Sequence, residues 1–343
     1  DLEINLVRTR TAFSVGVDNR TSEALGPVRI EGSAEYRGVF GAVDRHLVRV
    51  LRSGSSRLNL IAYNGEAPVG LDGAKVLWAL SSSVSNPKNN VQVNIDDSSD
   101  NLTVGLSYPF VRSRKTNLGG RLLLAGFNNS SDVASITATR DKIRAVRAGL
   151  TWDYVDEYAG ITLVDAEYSK GVPWFGASES NDLRLSRLGA NPEFSKANLY
   201  VARLQSLGGP WSVLLAANGQ WSNDILVTAE EFGLGGAIFL RAYDPSDFIG
   251  DSGIAGKVEL RYNFTINEVS ATAYAYQDSG RVTQNHLVAA RTLQSMLSTG
   301  IGVRLSGPRG VRGFLEVAKP NHQNVPSTGN ENARVFAGIG IDF

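Results

Sequence analysis

Strict alternation of apolar and polar residues is the feature that most constrains the fold of this chain. In the segment 253–264, Ile254 and Val258 fall on one face. Lys257 and Glu259 fall on the opposite face. A strand that is apolar on one face and charged on the other suits a wall with lipid on one side and water on the other. Comparable segments recur along the whole chain, whereas the helical period of about 3.6 residues is scarce.

About sixteen segments alternate in this way, most of them near the roughly 9–11 residues that a tilted membrane strand requires. Short turns such as 263–267 alternate with long connections such as 221–251, as is typical of outer-membrane barrels. The sequence therefore predicts an all-β fold, a sixteen-stranded antiparallel transmembrane β-barrel. The predicted strands lie near residues 13–17, 28–37, 44–53, 57–64, 73–82, 102–108, 117–128, 141–154, 158–169, 194–206, 211–221, 253–264, 267–278, 295–305, 310–319 and 333–343.

The composition excludes several other classes of protein. The chain has 343 residues, with 34 basic and 34 acidic side chains, so its formal net charge is zero. A nucleic-acid-binding domain would carry an excess of basic residues, and we expect no nucleic-acid partner. The chain contains no cysteine, which removes disulfides, thiolate metal sites and cysteine catalysis. No apolar run approaches the roughly 20 residues of a membrane-spanning helix.

Groups that carry out chemistry are sparse. The GLGG segment at 233–236 lacks the Gly-Lys-Ser/Thr that completes a phosphate-binding loop. Asp96, Asp97 and Asp100 are interpreted as part of a solvated outer loop, because calcium needs several preorganised oxygens. We therefore predict no enzyme activity, no metal site and no cofactor. Three histidines lie in unrelated segments without the spacing of metal ligands: His46, His286 and His322.

Four motifs in a fixed order point to one family. The long loop contains LRAY at 240–243, within GLGGAIFLRAYDPSDFIGDSG. Three more motifs accompany it: SYPFVRSRKTNL at 107–118, FSKANLYVARLQSLGGPWSVLLAANGQW at 194–221 and YAYQDSGRV at 274–282. Together they resemble the two-partner secretion (type Vb) outer-membrane transporters, which belong to the outer-membrane assembly factor superfamily. In that family the loop carries a Val/Ile-Arg-Gly-Phe/Tyr tetrad.

The resemblance implies a long loop folded into the lumen of the barrel. Its tetrad would be Leu240, Arg241, Ala242 and Tyr243, with Arg241 paired to Asp278 on the inner wall. Alternation agrees with an inward Asp278, because this residue shares a face with tyrosines of the same strand. Ala242 stands where the family has glycine, which permits a positive φ or close packing. Six residues would support this loop: Gly235, Gly236, Asp251, Gly253, Tyr276 and Gly280.

The resemblance also sets expectations for the ends of the chain. We expect residues 1–343 to form one barrel domain, without the amino-terminal periplasmic (POTRA) domains and the plug helix that family members carry. Phe343 ends the last strand on the lipid-facing phase. We predict that this aromatic residue is a signal for the barrel assembly machinery.

The function that the resemblance implies is translocation of an unfolded secreted partner protein from the periplasm to the cell surface, as in haemolysin secretion/activation systems. The expected partners are that exoprotein, outer-membrane lipid and, during biogenesis, the barrel assembly machinery, with one chain forming one pore. Two alternatives stay open at this point. An assembly or insertion factor of the same superfamily would have a weakly paired seam between the first and last strands. A passive diffusion porin would need no loop in its lumen.

Overall fold

The computed structural model of the protein describes residues 10–40, 43–89, 93–286 and 291–343. Sixteen strands form one closed barrel in which sequence neighbours pair antiparallel and the first strand meets the last. The predicted barrel is confirmed. The barrel strands are β1 (Thr11–Asp18), β2 (Arg29–Arg37), β3 (Arg45–Ser53), β4 (Leu58–Val69), β5 (Ala74–Ser85), β6 (Ile95–Arg112), β7 (Thr116–Val133), β8 (Ile136–Val155), β9 (Gly160–Gly171), β10 (Ser195–Gly208), β11 (Trp211–Ser222), β14 (Ser252–Ile266), β15 (Val269–Gln284), β16 (Thr292–Ser306), β17 (Val311–Pro320) and β18 (Arg334–Asp342).

The connection between β11 and β14 has structure of its own. It contains a single 3-10 turn, Thr228–Glu230, and a separate hairpin of two short strands, β12 (Phe232–Leu234) and β13 (Phe248–Gly250). Barrel strand β11 pairs directly with β14, so this connection leaves the wall and returns to it. Within the described ranges, no helix has the length and apolar character needed to cross a membrane.

Alternation along each strand separates the two faces of the wall. On β14, Ile254 and Val258 point outward and are half exposed. Glu259, between Val258 and Leu260, points into the lumen and is fully buried. The outer face therefore presents aliphatic side chains to lipid while charged side chains line the interior, as a barrel in a membrane requires.

The two ends of the barrel differ. At the end where β1 begins and β18 ends, which we call the terminal end, the strands are joined by short connections such as 209–210 and 267–268. The opposite end, the loop end, carries the connections 172–194 and 223–251. In outer-membrane barrels short turns face the periplasm and long loops face outward. Aromatic side chains ring the outer face near the terminal end: Tyr36, Trp78, Tyr108, Phe110, Trp152, Trp211, Tyr262 and Phe343.

Strands β6, β7 and β8 are longer than the sequence predicts. They extend past the lipid-facing band at the loop end, where outward positions such as Ser98, Asn128 and Ser130 are polar. Alternation of apolar and polar residues identifies only the part of a strand that faces lipid. Beyond the lipid-facing band both faces of the strand are in water, and the alternation ends. The three aspartates predicted to lie in an outer loop, Asp96, Asp97 and Asp100, are therefore in β6. That prediction is wrong.

The seam between β1 and β18 is short but closed. Five residue pairs are in register, from Ser14 opposite Asp342 to Asp18 opposite Gly338. Reciprocal backbone hydrogen bonds join Phe13 and Phe343 at one end, with N···O distances of 3.2 and 2.8 Å. At the other end the Asn19 side chain donates to the carbonyl of Val335 and accepts from the amide of Ala337.

Candidate functional site

The tip of the long connection, residues 235–247, lies inside the barrel. It enters through two glycines with positive φ, 116° at Gly235 and 93° at Gly236. A side chain at Gly235 would place its Cβ 2.0 Å from the carbonyl oxygen of Asp244, so only glycine fits there. Within the tetrad, the residue with positive φ is Leu240, at 56°. Ala242 needs no positive φ and is fully buried.

Arg241 is held against the wall by two carboxylates. Its Nε and Nη2 donate to the two oxygens of Asp278 at 3.0 and 2.9 Å, and its backbone N–H donates to the same carboxylate at 3.2 Å. Its Nη1 donates to Glu259. The Arg241 side chain is only 2% exposed. A bidentate contact of this kind is charge-assisted and strongly directional, so it fixes both the position and the orientation of the tip.

A second layer of charge surrounds the pair. Glu259 also accepts from Arg304 Nη1 and Arg261 Nε, each at 2.8 Å. Glu316 on β17 lies 3.9 Å from Arg241 and accepts from Arg20 Nη2 at 2.8 Å. Three buried carboxylates therefore face several guanidinium groups, and each carboxylate has at least one cationic partner. Such pairing is what allows charges to remain buried.

Two tyrosines on β15 pack against the charge network and donate hydrogen bonds to it. The guanidinium of Arg241 stacks on the ring of Tyr276, 3.3 Å from its centroid. The hydroxyl groups of Tyr276 and Tyr274 both donate to Glu316, at 3.1 and 2.8 Å. Their rings lie over Gly300 and Gly302 of β16, where an added Cβ would come within 2.5 Å of each tyrosine. The glycines thus make room for the aromatic platform.

The other half of the tetrad is anchored to β18 and to the connection between β17 and β18. The Tyr243 hydroxyl donates to the carbonyl of Gln323 at 2.9 Å. Arg334 on β18 donates to the carbonyl of Ala242 at 3.0 Å and to the carboxylate of Asp244 at 2.5 Å. Ser327 donates to the same carboxylate at 2.8 Å. The tip therefore bridges β14 and β15 to β18 and the loop that precedes it.

Apolar contacts complete the anchoring. Leu234 and Leu240 pack against the wall at Gly280, where an added Cβ would lie 2.8 and 3.0 Å from their methyl groups. Phe232 fills the space at Gly253 in the same way, with 2.4 Å from its Cδ1 to an added Cβ. Burial of these side chains favours the inward position of the loop, because each withdraws apolar area from water.

Asp251 anchors the base of the connection, away from the tip. It is fully buried. It accepts from Arg187 Nη1 and from the amide of Leu226, both at 2.6 Å, and from the amide of Asn285 at 2.7 Å. It thereby ties three connections together at the loop end. Phe343 is far from this site, on the outer face beside the seam, with its backbone paired to Phe13.

One titratable group of the tip lies outside the charge network. Burial raises the pKa of Asp247 to about 6, although the amide N–H of Asp244 donates to this carboxylate at 2.8 Å and opposes the shift. The described residues of the site hold the loop by ion pairs, hydrogen bonds and apolar packing.

Sequence reasoning placed Asp278 and Tyr276 beside Arg241, and the structure brings these three residues together. It missed several charged contributors, among them Glu259, Glu316, Arg304 and Arg334. For Glu259 a signal existed, since alternation puts it on the inner face of β14 two residues from Lys257. No pattern in the sequence links Glu316 or Arg334 to the loop, because the successive pairing of β15 to β18 brings them near it.

Comparison with known proteins now decides the family. Residues 1–305 match the family described as haemolysin secretion/activation protein ShlB/FhaC/HecB. The chain belongs to this family. It is an integral outer-membrane protein, so the terminal end faces the periplasm and the loop end faces the exterior. Among curated proteins, none matches the chain.

Solved structures share the fold of this family member. CdiB from Escherichia coli superposes with a TM-score of 0.83 at 19% identity, over 99% of this chain and 64% of that one. CdiB from Acinetobacter baumannii gives 0.78 at 15%, over 98% and 60%. BamA from Haemophilus ducreyi lacking POTRA domains 1-3 gives 0.69 at 10%, over 98% and 71%. The chain thus spans less than two thirds of either CdiB chain.

Proposed function

We propose that this chain forms the membrane pore of a two-partner secretion transporter, through which an unfolded exoprotein passes from the periplasm to the cell surface. The observation that carries the proposal is the loop tip clamped in the lumen by Arg241, Asp278 and Glu259. Ion pairs of this kind can separate when water enters, because water hydrates each of the charged side chains that are released. A diffusion porin has no need of such a clamp.

The opposite wall of the lumen fits a hydrated path. Arg121 pairs with Asp165 and Glu167 at 2.7 and 2.9 Å. These side chains present paired charge rather than apolar surface to a passing polypeptide. An extended chain would therefore meet few sites at which burial of its apolar side chains could trap it.

The remaining parts of the proposal concern partners. The exoprotein is the cargo, lipid surrounds the barrel, and the assembly machinery recognises Phe343 at the end of β18 during insertion. One chain makes one pore, because the sheet closes on itself and leaves no edge for a second copy.

The test is secretion of a candidate exoprotein partner co-expressed with the transporter. We expect Arg241→Ala and Asp278→Asn each to lower secretion at least tenfold, with normal insertion shown by heat-modifiable gel mobility. Arg121→Ala is the matched control, since it removes a paired lumen arginine that does not contact the loop. Normal secretion by both clamp variants would contradict the proposal.

An assembly factor of the same superfamily is the second candidate, and the short register between β1 and β18 is the observation in its favour. The two functions separate in the same experiment. If the wild type exports no exoprotein, and deletion depletes other barrels from the surface, the chain serves assembly instead.

A further inference from the structure

A row of basic residues lies on the outer face of β8 at the extracellular end. Arg140, Lys142 and Arg144 occupy alternate positions and so point to the same side of the wall. The next outward position is Val146, where the lipid-facing band begins. None of the three forms an ion pair within the described part of the chain. Arg144 instead donates to the Asn128 side chain at 3.1 Å.

Neighbouring segments add to this row. Lys170 of β9 lies opposite Val146 and donates to the carbonyl of Glu193 at 2.6 Å. Arg184 lies beside Arg140, whose amide donates to its carbonyl at 2.6 Å. The surface then has five basic side chains: Arg140, Lys142, Arg144, Lys170 and Arg184. Three carboxylates adjoin it, so its net charge is +2. Those carboxylates are Asp100, Glu179 and Asp182.

An apolar groove of about 440 Å³ opens directly below the basic row. One wall is the outer face of β6 and β7, with Leu102, Val104 and Leu124. The other wall is the loop segment that carries Trp174 and Phe175, whose side chains are 48% and 83% exposed. Exposed aromatic residues of this kind are enriched at membrane–water interfaces.

The groove and the basic row are continuous. Residues 176–178 follow Phe175 and line a polar depression of about 350 Å³, together with Arg140 and Lys142. The loop is fixed along β8 by backbone hydrogen bonds, from Val172 N to Arg144 O and from Ser178 N to Lys142 O, both 2.8 Å. The groove and the basic row therefore form one amphipathic surface, which is apolar at the groove and basic at the row.

The height of this surface matches the outer head groups. Arg144 and Trp152, which belongs to the aromatic ring near the periplasmic end, are eight residues apart on β8. That separation is about 27 Å along a strand, or about 20 Å along the membrane normal at a tilt of about 40°. The apolar band of outer-membrane barrels is about 25 Å tall, so the row lies where the polar groups of the outer leaflet begin.

We propose that this surface binds a phosphorylated, multiply acylated lipid of the outer leaflet, the chemical class that includes lipopolysaccharide. Arg140, Lys142 and Arg144 contact its phosphate groups, and an acyl chain lies in the groove against Trp174 and Phe175. Charge complementarity and the continuous groove select this occupant, because a soluble anion would not use the apolar part and a neutral lipid would not use the basic part. The site is independent of the secretion function.

The test measures binding of fluorescent lipopolysaccharide to the purified chain in detergent, with its dephosphorylated form as a second probe. Arg140→Gln with Lys142→Gln should weaken binding about twenty-five-fold, at about fivefold for each basic residue near an anionic lipid. Arg281→Gln with Lys319→Gln is the matched control. It also removes one arginine and one lysine from outward, exposed positions at the extracellular end, away from the groove.

Each outcome decides the proposal. Wild-type affinity for the dephosphorylated probe should fall by a similar factor, and Trp174→Ser with Phe175→Ser should weaken binding of both probes at least fivefold. Equal affinity of the basic-row variant and its control, or of the two probes, would overturn it. Displacement of the lipid by millimolar inorganic phosphate would identify a site for a soluble anion instead. Heat-modifiable mobility shows that every variant compared is folded.

Discussion

Arg241 joins the loop tip to the barrel wall, and its chemistry predicts that a lysine could not replace it. The planar guanidinium donates from separate nitrogens to Asp278 and Glu259 while its face covers the Tyr276 ring. A lysine offers one ammonium group that cannot make a bidentate contact and stack at the same time. Removing one partner from a buried pair typically costs about 3–5 kcal/mol, because the remaining charge is left uncompensated.

We therefore predict that Arg241→Lys loosens the loop without unfolding the barrel. In planar bilayers the variant should switch to a higher conductance far more often than the wild type. If Arg241 and Asp278 act as one unit, Arg241→Lys combined with Asp278→Asn should be no worse than the more severe single variant. Wild-type conductance traces from Arg241→Lys, or strictly additive effects, would contradict this prediction.

At the scale of single residues, sequence reasoning reached the clamp only in part. Alternation along β15 put Asp278, Tyr276 and Tyr274 on one face, because the period of a strand is fixed by its geometry. Glu316 and Arg334 could not be found in this way. They come from β17 and β18, and their distance from the loop depends on the register of several strand pairs between them.

Among the elements, the long connection is held by shape as well as by charge. It packs against Gly280, where a side chain would collide with Leu234 and Leu240. At Gly300 and Gly302 of the adjacent strand, a side chain would collide with the tyrosines that support Arg241. The sequence predicted that the connection folds inward only through its family resemblance. The number of strands came from alternation alone, and the error over β6 to β8 arose where water replaces lipid on the outer face.

Gly280→Val should displace the loop from the wall while leaving β15 intact, since valine is favoured in strands. The reporter is a cysteine at the fully buried Ala242, which has no background because the chain contains no other cysteine. We expect Gly280→Val to raise the rate of labelling by an impermeant maleimide at least tenfold.

Gly256→Val is the control for this experiment, because an added Cβ there meets only the Ala216 carbonyl oxygen at 3.8 Å. It should leave the labelling rate at the wild-type value. Slow labelling in the Gly280→Val variant would mean that the loop accommodates the new side chain, and that packing at this position does not hold it.

For the whole molecule, the question is whether the barrel works as a closed cylinder. The seam has five registered pairs, against eight between β1 and β2. Its ends are extended by the Phe13–Phe343 and Asn19 contacts, and Arg20 crosses it to reach Glu316 at 2.8 Å. Arg334 ties the same region to the loop tip. The amide of Glu23, which follows β1, also donates to Asp244 of the tip at 3.4 Å. Contacts around the clamp therefore cross the seam, as the proposed transport through a closed lumen would require.

A disulfide across the seam tests this directly. Ser14 and Asp342 are opposite one another in the register of β1 and β18. Ser14 and Ser33, whose hydroxyl oxygens are 2.8 Å apart, provide the same cross-link between β1 and β2. Because the chain has no cysteine of its own, each pair of substitutions yields one defined bond. If the polypeptide moves through a closed barrel, secretion by the oxidised Ser14→Cys/Asp342→Cys protein should equal that of the oxidised Ser14→Cys/Ser33→Cys protein. Secretion that is lost only in the seam-linked protein, and restored by reduction, would show instead that β1 and β18 must separate during each cycle.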